Sequence, residues 1–270
     1  MDKDAVRDFY DADPAREWAR LEACWLEYAI TRRFIKKHLP AAAARVLDLG
    51  GGPGRYAIDL AKIGCLVDLA DLSPANIAYA TKKAAEACIS LTSAKAADAR
   101  NLQPYKEESY DMVLCLGPLY HLHNEADRAK VVTECLRVAK PGAVLFFGFI
   151  SHLAPYYYLL KTQPETFPKR SPFFRDILYD GRYQAPTKGD SFFTDAYFID
   201  PLEIEPFMSR FGLQPIELFG AESIAAQSEN HLAELDEITK NHWLEHLASL
   251  ATHRAALLAS EHVIYVGRKT

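Results

Sequence analysis

The sequence predicts an α/β protein built on a mostly parallel sheet covered by helices on both faces. Three observations carry that prediction. Short apolar runs alternate with segments of helical period through the first 150 residues, the rhythm of repeated strand–helix–strand units. Two of the runs, YDMVLCL and AVLFFGFI, are apolar almost throughout, as strands buried on both faces are. A third run, VLDLGGGPGRY from Val46 to Tyr56, passes directly into four glycines broken only by a proline. Bare backbone at the end of a buried strand is where open parallel sheets receive ligands.

The elements follow in order. DADPAREWARLEACWLEYAITRRFIKKHLP predicts one long amphipathic helix with Asp13 as N-cap and Pro14 at its first position. Trp18, Leu21, Trp25 and Tyr28 share one helical face, expected against the core. Arg45 to Leu49 is the first strand, Tyr56 to Lys62 a helix, Leu66 to Leu72 the second strand, and Asn76 to Ala87 a helix capped near Ser73–Pro74. A short strand at Leu91 to Ala96, a buried strand at Tyr110 to Leu116 and a helix from Asn124 to Ala139 lead to the fifth strand, AVLFFGFI. From His152 to Phe198 the rhythm breaks into proline-punctuated aromatic sequence. It resumes with a helix from Pro201 to Arg210, a strand from Leu213 to Phe219, a helical insertion from Glu222 to Ser260 and a last strand from His262 to Gly267.

Composition narrows the class. The chain has 270 residues, 49% hydrophobic and 25% charged, with a net charge of −5, the balance of an ordinary globular protein without general attraction for nucleic acid or anionic membrane. The charged N-terminus does not read as a signal peptide, and no apolar run approaches the roughly 18 residues of a membrane helix. The five cysteines form no CxxC pair or Cys/His cluster and read as reduced core thiols of a cytoplasmic protein, with no metal site.

Gly50, Gly51, Gly52 and Gly54 then pose the question of ligand. A dinucleotide site calls for G-x-G-x-x-G, and here Arg55 occupies the third glycine position. Asp71, at the carboxyl end of the second strand, suits two ribose hydroxyls but is shared with dinucleotide enzymes. Asp98 and Ala99 in AADARNL end the next strand, where a carboxylate can meet an adenine amine or serve only as a cap.

Together these strings resemble the Rossmann-like, class I S-adenosylmethionine-dependent methyltransferases. VLDLGGGPGRYAIDLA is similar to their first motif, ADLSPANIAYA to the acidic loop, AADARNLQPYKEESYDMVLCLGPLYHL to the third and fourth motifs, and LRVAKPGAVLFFGFIS to the strand that follows. The resemblance implies a doubly wound seven-stranded sheet in the order 3-2-1-4-5-7-6 with the seventh strand antiparallel, HVIYVGRK filling that place. It implies S-adenosyl-L-methionine as cofactor. Asp48, Gly50, Gly51, Gly52 and Gly54 would surround the methionine end, and Asp71 would bind the ribose with Leu72 beside it. Asp98 and Ala99 would face adenine, Leu116 would lie against the amino-acid part, and Tyr10 is similar to an aromatic that relatives fold over the cofactor. The domain organisation expected is a single methyltransferase domain over 1–270, with an N-terminal helical segment to residue 40, an inserted cap at 152–198 and a helical insertion at 222–260.

Methyl transfer needs alignment of a nucleophile and exclusion of water more than a covalent catalyst. Substrate-side residues are expected from the N-terminal helix, the loop after the fourth strand and the insertion after the fifth. In GPLYHLHNEADR, Tyr120 and His121 are the catalytic candidates, His121 as a general base of near-neutral pKa, against the plainer reading that both pack the following helix. Arg16, Glu17 and Arg20 read as a solvated face. The 152–198 segment holds Tyr156, Tyr157, Tyr158, Phe167, Phe173, Phe174, Tyr179, Tyr183, Phe192, Phe193, Tyr197 and Phe198, a density that implies burial as a substrate lid or, alternatively, in a homodimer interface. Its basic residues, Lys161, Lys169, Arg170, Arg175, Arg182 and Lys188, are offset by Glu165, Asp176, Asp180 and Asp190 and read as surface pairs. The expected activity is methyl transfer to an oxygen, nitrogen or sulfur of a small molecule, of apolar or aromatic character as the cap suggests; the mildly acidic chain, and LGPLY in place of the NPPY-type loop of relatives that methylate amides or exocyclic base amines, disfavour a macromolecular substrate. An NAD(P)-dependent oxidoreductase and a non-catalytic cofactor-binding scaffold are the competing readings.

Overall fold

The computed structural model describes residues 3–40, 43–185 and 193–270. Its strands are β1 (Arg45–Leu49), β2 (Leu66–Asp71), β3 (Ser93–Ala96), β4 (Tyr110–Cys115), β5 (Ala139–Ser151), β6 (Arg182–Tyr183), β7 (Ala196–Ile199), β8 (Leu213–Gly220) and β9 (His262–Lys269). The helices are α1 (Lys3–Asp11), α2 (Pro14–Ala23), α3 (Trp25–His38), α4 (Arg55–Lys62), α5 (Pro74–Glu86), α6 (Glu125–Val138), α7 (Ala154–Thr162), α8 (Phe167–Asp180), α9 (Ile204–Met208), α10 (Glu229–Ala233), α11 (Glu237–Leu250) and α12 (Arg254–Ala259).

Strands β1 to β5 are parallel and lie in the order β3-β2-β1-β4-β5. Strand β9 runs antiparallel beside β5, and β8 antiparallel beside β9. With β8 and β9 counted as sixth and seventh, this is the 3-2-1-4-5-7-6 order with an antiparallel seventh strand. Two short strands extend the pattern: β7 pairs in parallel with the carboxyl end of β5 at Ile150 and Ser151, and β6 pairs antiparallel with β7. Every parallel strand therefore ends on the same edge, where the loops that follow β1, β2, β3, β4 and β5 converge.

The sheet is covered on both faces. One core layer joins Leu47, Val113, Leu145 and Tyr265 to α6 and α9 through Val131, Cys135, Ile204 and Met208. The other joins Val46, Leu69, Leu114 and Phe146 to α3, α4 and α11 through Leu26, Ile30, Ala57, Leu60 and Leu247. A small third cluster, Ile150, Ala154, Ile177, Tyr183, Ala196 and Phe198, holds the segment after β5 against the edge of the sheet. No helix among the described residues is long and apolar enough to cross a membrane.

The N-terminal region departs from one long helix. Asp13 caps α2 by accepting from the Arg16 amide at 2.9 Å, which ends α1 before it, and Cys24 leaves helical geometry at φ −81°, ψ 64°. The second break is held from far away: the Leu26 amide at the start of α3 donates to the buried Glu229 carboxylate at 2.9 Å. The buried stripe is Leu26, Ile30 and Phe34, with Ile35, and α2 has no fully buried residue; Trp18, Leu21, Trp25 and Tyr28 are only partly covered. The expected helix from Pro201 to Arg210 shortens to α9 between two 3-10 turns. The segment from 222 to 260 divides into α10, α11 and α12. Among the cysteines Cys65, Cys115 and Cys135 are buried, Cys24 is partly covered and Cys88 is exposed. Of the aromatics expected to be buried, Phe174 and Tyr183 are buried and Tyr156 packs on Phe174, whereas Tyr158, Phe167 and Tyr179 are exposed. Phe192, Lys188 and Asp190 lie outside the described residues, as does the Phe173 side chain.

Candidate active site

A cavity opens at the carboxyl edge where β1 and β4 part, walled by the loops after β1, β2, β3 and β4 and roofed by α1. Gly50 shapes its floor: at φ +68° it turns the chain out of β1, and a Cβ there would lie 2.5 Å from Pro118 Cδ. Across the cavity, Asp71 organises the loop. Its Oδ2 accepts from the Gly52 amide at 2.8 Å, and its Oδ1 from the Ser73 amide at 2.9 Å and Asn76 Nδ2 at 3.3 Å. Burial pushes the Asp71 carboxyl upward, and those hydrogen bonds oppose the push. Ser73 in turn caps α5 by accepting from the Asn76 amide at 3.0 Å.

Seven of the expected cofactor residues border this space: Tyr10, Gly50, Gly52, Asp71, Leu72, Asp98 and Ala99. Asp48, Gly51, Gly54 and Leu116 lie behind it. Asp48 is buried under Gly51, facing only the Ala57 amide at a geometry short of a hydrogen bond, and burial raises its carboxyl to about 7. Gly54 is the left-handed N-cap of α4, and Leu116 packs into the core layer below. Asp98 is clamped by Arg100, whose Nε and Nη2 donate to its two oxygens at 3.0 and 2.7 Å. Arg55, which breaks the dinucleotide pattern, stacks on the Tyr28 ring of α3 at 3.6 Å.

Both catalytic candidates reach the cavity wall, with different environments. His121 is buried, and its Nε2 lies 2.9 Å from the Tyr10 hydroxyl. Its Nδ1 lies 3.2 Å from the Asp195 carbonyl oxygen. A carbonyl only accepts, so Nδ1 carries the proton and Nε2 accepts from Tyr10. Burial lowers the imidazole to about 4, despite the Asp195 carbonyl, which keeps it neutral. This is not the free general base expected: both nitrogens are engaged. Burial, with the charges of Glu27 and Glu17 and against that of Arg20, pushes the Tyr120 phenol upward.

Other contributors escaped the sequence reading. Asn76 borders the cavity, and its Oδ1 is buried without a hydrogen-bond partner. Because Nδ2 is committed to Asp71, the amide oxygen is the atom left over. The signal was available in Ser73-Pro74-Ala75-Asn76, which sets Asn76 at the third position of a helix capped by Ser73. Asp11 locks the roof: its Oδ1 accepts from Ser73 Oγ at 2.5 Å and from the Ala75 amide at 3.0 Å. Glu17 borders the cavity and accepts from Arg20 at 3.0 and 2.7 Å; Arg16 and Arg20 remain exposed, as expected, and only Glu17 turns inward.

Comparison with known proteins follows the geometry. Residues 47–147 match the model of the methyltransferase domain family. The ubiquinone biosynthesis O-methyltransferase of Ralstonia nicotianae is 30% identical over 189 residues, 70% of this chain and 71% of that protein. Among solved structures, a methyltransferase of Thermotoga maritima described as a possible histamine N-methyltransferase superposes with a TM-score of 0.60 at 16% identity, over 97% of this chain and 98% of that one. The 4+2 cyclase SpnF superposes with a TM-score of 0.55 at 17% identity, over 88% of this chain and 80% of that one. At those identities the likeness to the two structures is one of fold, and a fold of this kind hosts more than one chemistry.

Proposed function

The chain belongs to the class I S-adenosylmethionine-dependent methyltransferases, and from that premise we propose how its residues divide the work and on which side the acceptor enters. When bound, the cofactor supplies a methyl group on a positively charged sulfur, which an oxygen, nitrogen or sulfur of a small molecule displaces in line without a covalent enzyme intermediate.

The observation that carries the assignment is the pair of acceptors on one wall. Asp71 Oδ2 has a lone pair left beyond its bond to Gly52, and the buried Asn76 Oδ1 has no partner. Two adjacent acceptors match the two hydroxyls of a ribose, and a buried amide oxygen without a donor costs about 1–3 kcal/mol until one arrives. Gly50 and Gly52 receive the methionine end against bare backbone. Ala99 and Leu122 give the adenine an apolar slot, with Asp98 held at its rim by Arg100. Tyr10 closes over the top through His121, so His121 acts by positioning, while Tyr120 stands between the cofactor and the acceptor. Asp48 supports the glycine loop from below.

The region from 152 to 198 and the helices at 222–260 serve as the acceptor cap. They meet through Lys161, which donates to the Ala226 carbonyl at 3.2 Å and pairs with Glu229 at 3.4 Å. Calorimetry with S-adenosylhomocysteine tests the assignment: Asp71→Ala and Asn76→Ala should each weaken binding, the latter by roughly tenfold for one lost hydrogen bond to ribose. Unchanged affinity in both variants would overturn it. Product detection over a panel of small-molecule acceptors then reads turnover.

A further inference from the structure

The cofactor cavity carries one carboxylate that the ribose and adenine assignments leave unused. Among the described residues the charged side chains that border it are Glu17, Asp71, Asp98 and Arg100, His121 being neutral. Asp98 and Arg100 close on each other through two hydrogen bonds. Asp71 accepts from Gly52, Ser73 and Asn76 and is assigned to the ribose. Glu17 remains. It comes from α2, which is clamped on α5: Asp11, just ahead of α2, accepts from Ser73 and Ala75 at the start of α5, and the Trp18 ring lies 6.3 Å from that of Tyr79. The clamp sets α2 beside the end of α5 that presents Asn76 to the cavity, and Glu17 enters the wall there.

The Glu17 side chain is 16% exposed and that of Arg20 45%, so the pair has an inner and an outer member. Arg20 donates one hydrogen bond to each Glu17 oxygen. Pairing with so solvated a guanidinium orients the carboxylate and stabilises it little. An ionised carboxylate has about four acceptor sites, so each oxygen keeps a lone pair for a donor inside the cavity. Burial raises Asp71, Tyr10 and Tyr120 above their ordinary values, and on all three the negative charge of Glu17 adds to the rise, in keeping with a carboxylate that faces them. What the cofactor offers at the end away from adenine is an α-ammonium, a cation with three N–H donors. Gly50 and Gly52 meet that end with bare backbone and bring no side-chain charge to it. The partner for the ammonium has to come from another wall, and Glu17 is the carboxylate there.

We propose that Glu17 binds the α-ammonium of the cofactor's amino-acid end, its carboxylate accepting from the ammonium inside the cavity while Arg20 orients it from outside. The inference rests on the cofactor reading and deepens it, since it adds a charged contact at the end where the glycine loop supplies none. No covalent bond forms or breaks in this step. A contact of this kind selects nucleosides that carry the ammonium over those that share only the adenine, ribose and thioether.

The test titrates the full chain calorimetrically with S-adenosylhomocysteine and three compounds that share its adenosine and thioether. Methylthioadenosine lacks the amino acid, the 3-aminopropyl thioether keeps the ammonium alone, and the 3-carboxypropyl thioether keeps the carboxylate alone. Wild type should hold the aminopropyl compound at least about tenfold more tightly than the carboxypropyl one. Glu17→Gln should weaken S-adenosylhomocysteine and the aminopropyl compound by about tenfold and leave methylthioadenosine unchanged, which also shows that the variant folds. Glu17→Asp, with a carboxylate one methylene short, should retain part of the preference. Equal weakening of all four ligands would mean that Glu17 only supports α2, and unchanged binding of all four would place the ammonium elsewhere; either result overturns the proposal. So would a loss confined to S-adenosylmethionine that spares S-adenosylhomocysteine, because the carboxylate would then serve the sulfonium. Methylthioadenosine reads the adenosine site without the amino acid, so its failure to bind wild type would strike that assignment and separates it from a failure at Glu17.

Discussion

Replacing Tyr10 with phenylalanine removes one oxygen atom and tests how the roof of the cofactor cavity is held. The Tyr10 hydroxyl is the donor to His121 Nε2 at 2.9 Å, and His121 is buried. Phenylalanine keeps the ring, and with it the edge contacts to Phe9 at 5.2 Å and to His121 at 5.4 Å. What is lost is one hydrogen bond, and what remains is a buried imidazole nitrogen with no donor. The first is worth about 1 kcal/mol net, and an orphaned acceptor brings the total to about 1–3 kcal/mol. If docking of α1 is coupled to cofactor retention, that energy appears as a roughly 5- to 150-fold rise in the dissociation constant of S-adenosylhomocysteine. Calorimetry on wild type, Tyr10→Phe, His121→Phe and the double variant measures it. The two single changes should not add, because either one removes the same contact. The reasoning fails if Tyr10→Phe binds as wild type does, or if the two effects sum.

Three further outcomes follow from the same geometry. Gly54→Ala places a Cβ at φ +87° and 2.9 Å from Ala80 Cβ, so urea unfolding should show a loss of about 2–4 kcal/mol; a loss under about 0.5 kcal/mol would mean that α4 and α5 adjust freely. His121, lowered to about 4 from an unfolded value near 6.5, contributes stability that is full above pH 6.5 and drains as pH falls toward 4, by about 3 kcal/mol. His262, raised to about 10, does the reverse, stabilising below pH 6.5 and losing that contribution as pH climbs to 10. Thermal melts of His121→Phe and His262→Gln against wild type should therefore diverge on opposite limbs of the pH profile, and parallel curves would refute both assignments. A thiol reagent should label Cys88 rapidly, Cys24 slowly, and Cys65, Cys115 and Cys135 only on unfolding; fast labelling of more than one thiol would contradict the burial.

The parts legible in the sequence are those set by neighbours along the chain. Strand β4 announces itself because Met112, Val113, Leu114 and Cys115 are all buried, which leaves no polar alternation to confuse with a helix. The loop after β1 is legible because Gly50 and Gly54 each adopt a positive φ that few other residues tolerate. Asp13 and Ser73 each cap the helix that follows, so those starts could be read to within a residue or two. The break at Cys24 could not: nothing in ARLEACWLEYA interrupts the helical period, and the group that receives the Leu26 amide is Glu229, some two hundred residues further on. Propensity described a continuous helix, and a tertiary contact ended it.

The site divides along the same line, and the division says where its specificity resides. Asp71 and the glycine loop lie about twenty residues apart and their pattern carried the family resemblance. Arg20 is exposed as read, paired with Glu17 one turn before it, whereas His121 looked like a base because its two hydrogen-bond partners, Tyr10 and the Asp195 carbonyl, come from distant parts of the chain. The proposed acceptor cap draws on segments far apart in sequence, which meet where Lys161 of α7 contacts Ala226 and Glu229. No local motif can encode contacts made between segments so far apart. A fold of this kind hosts more than one chemistry, so such segments can change while the loop of Gly50, Gly52 and Asp71 is kept.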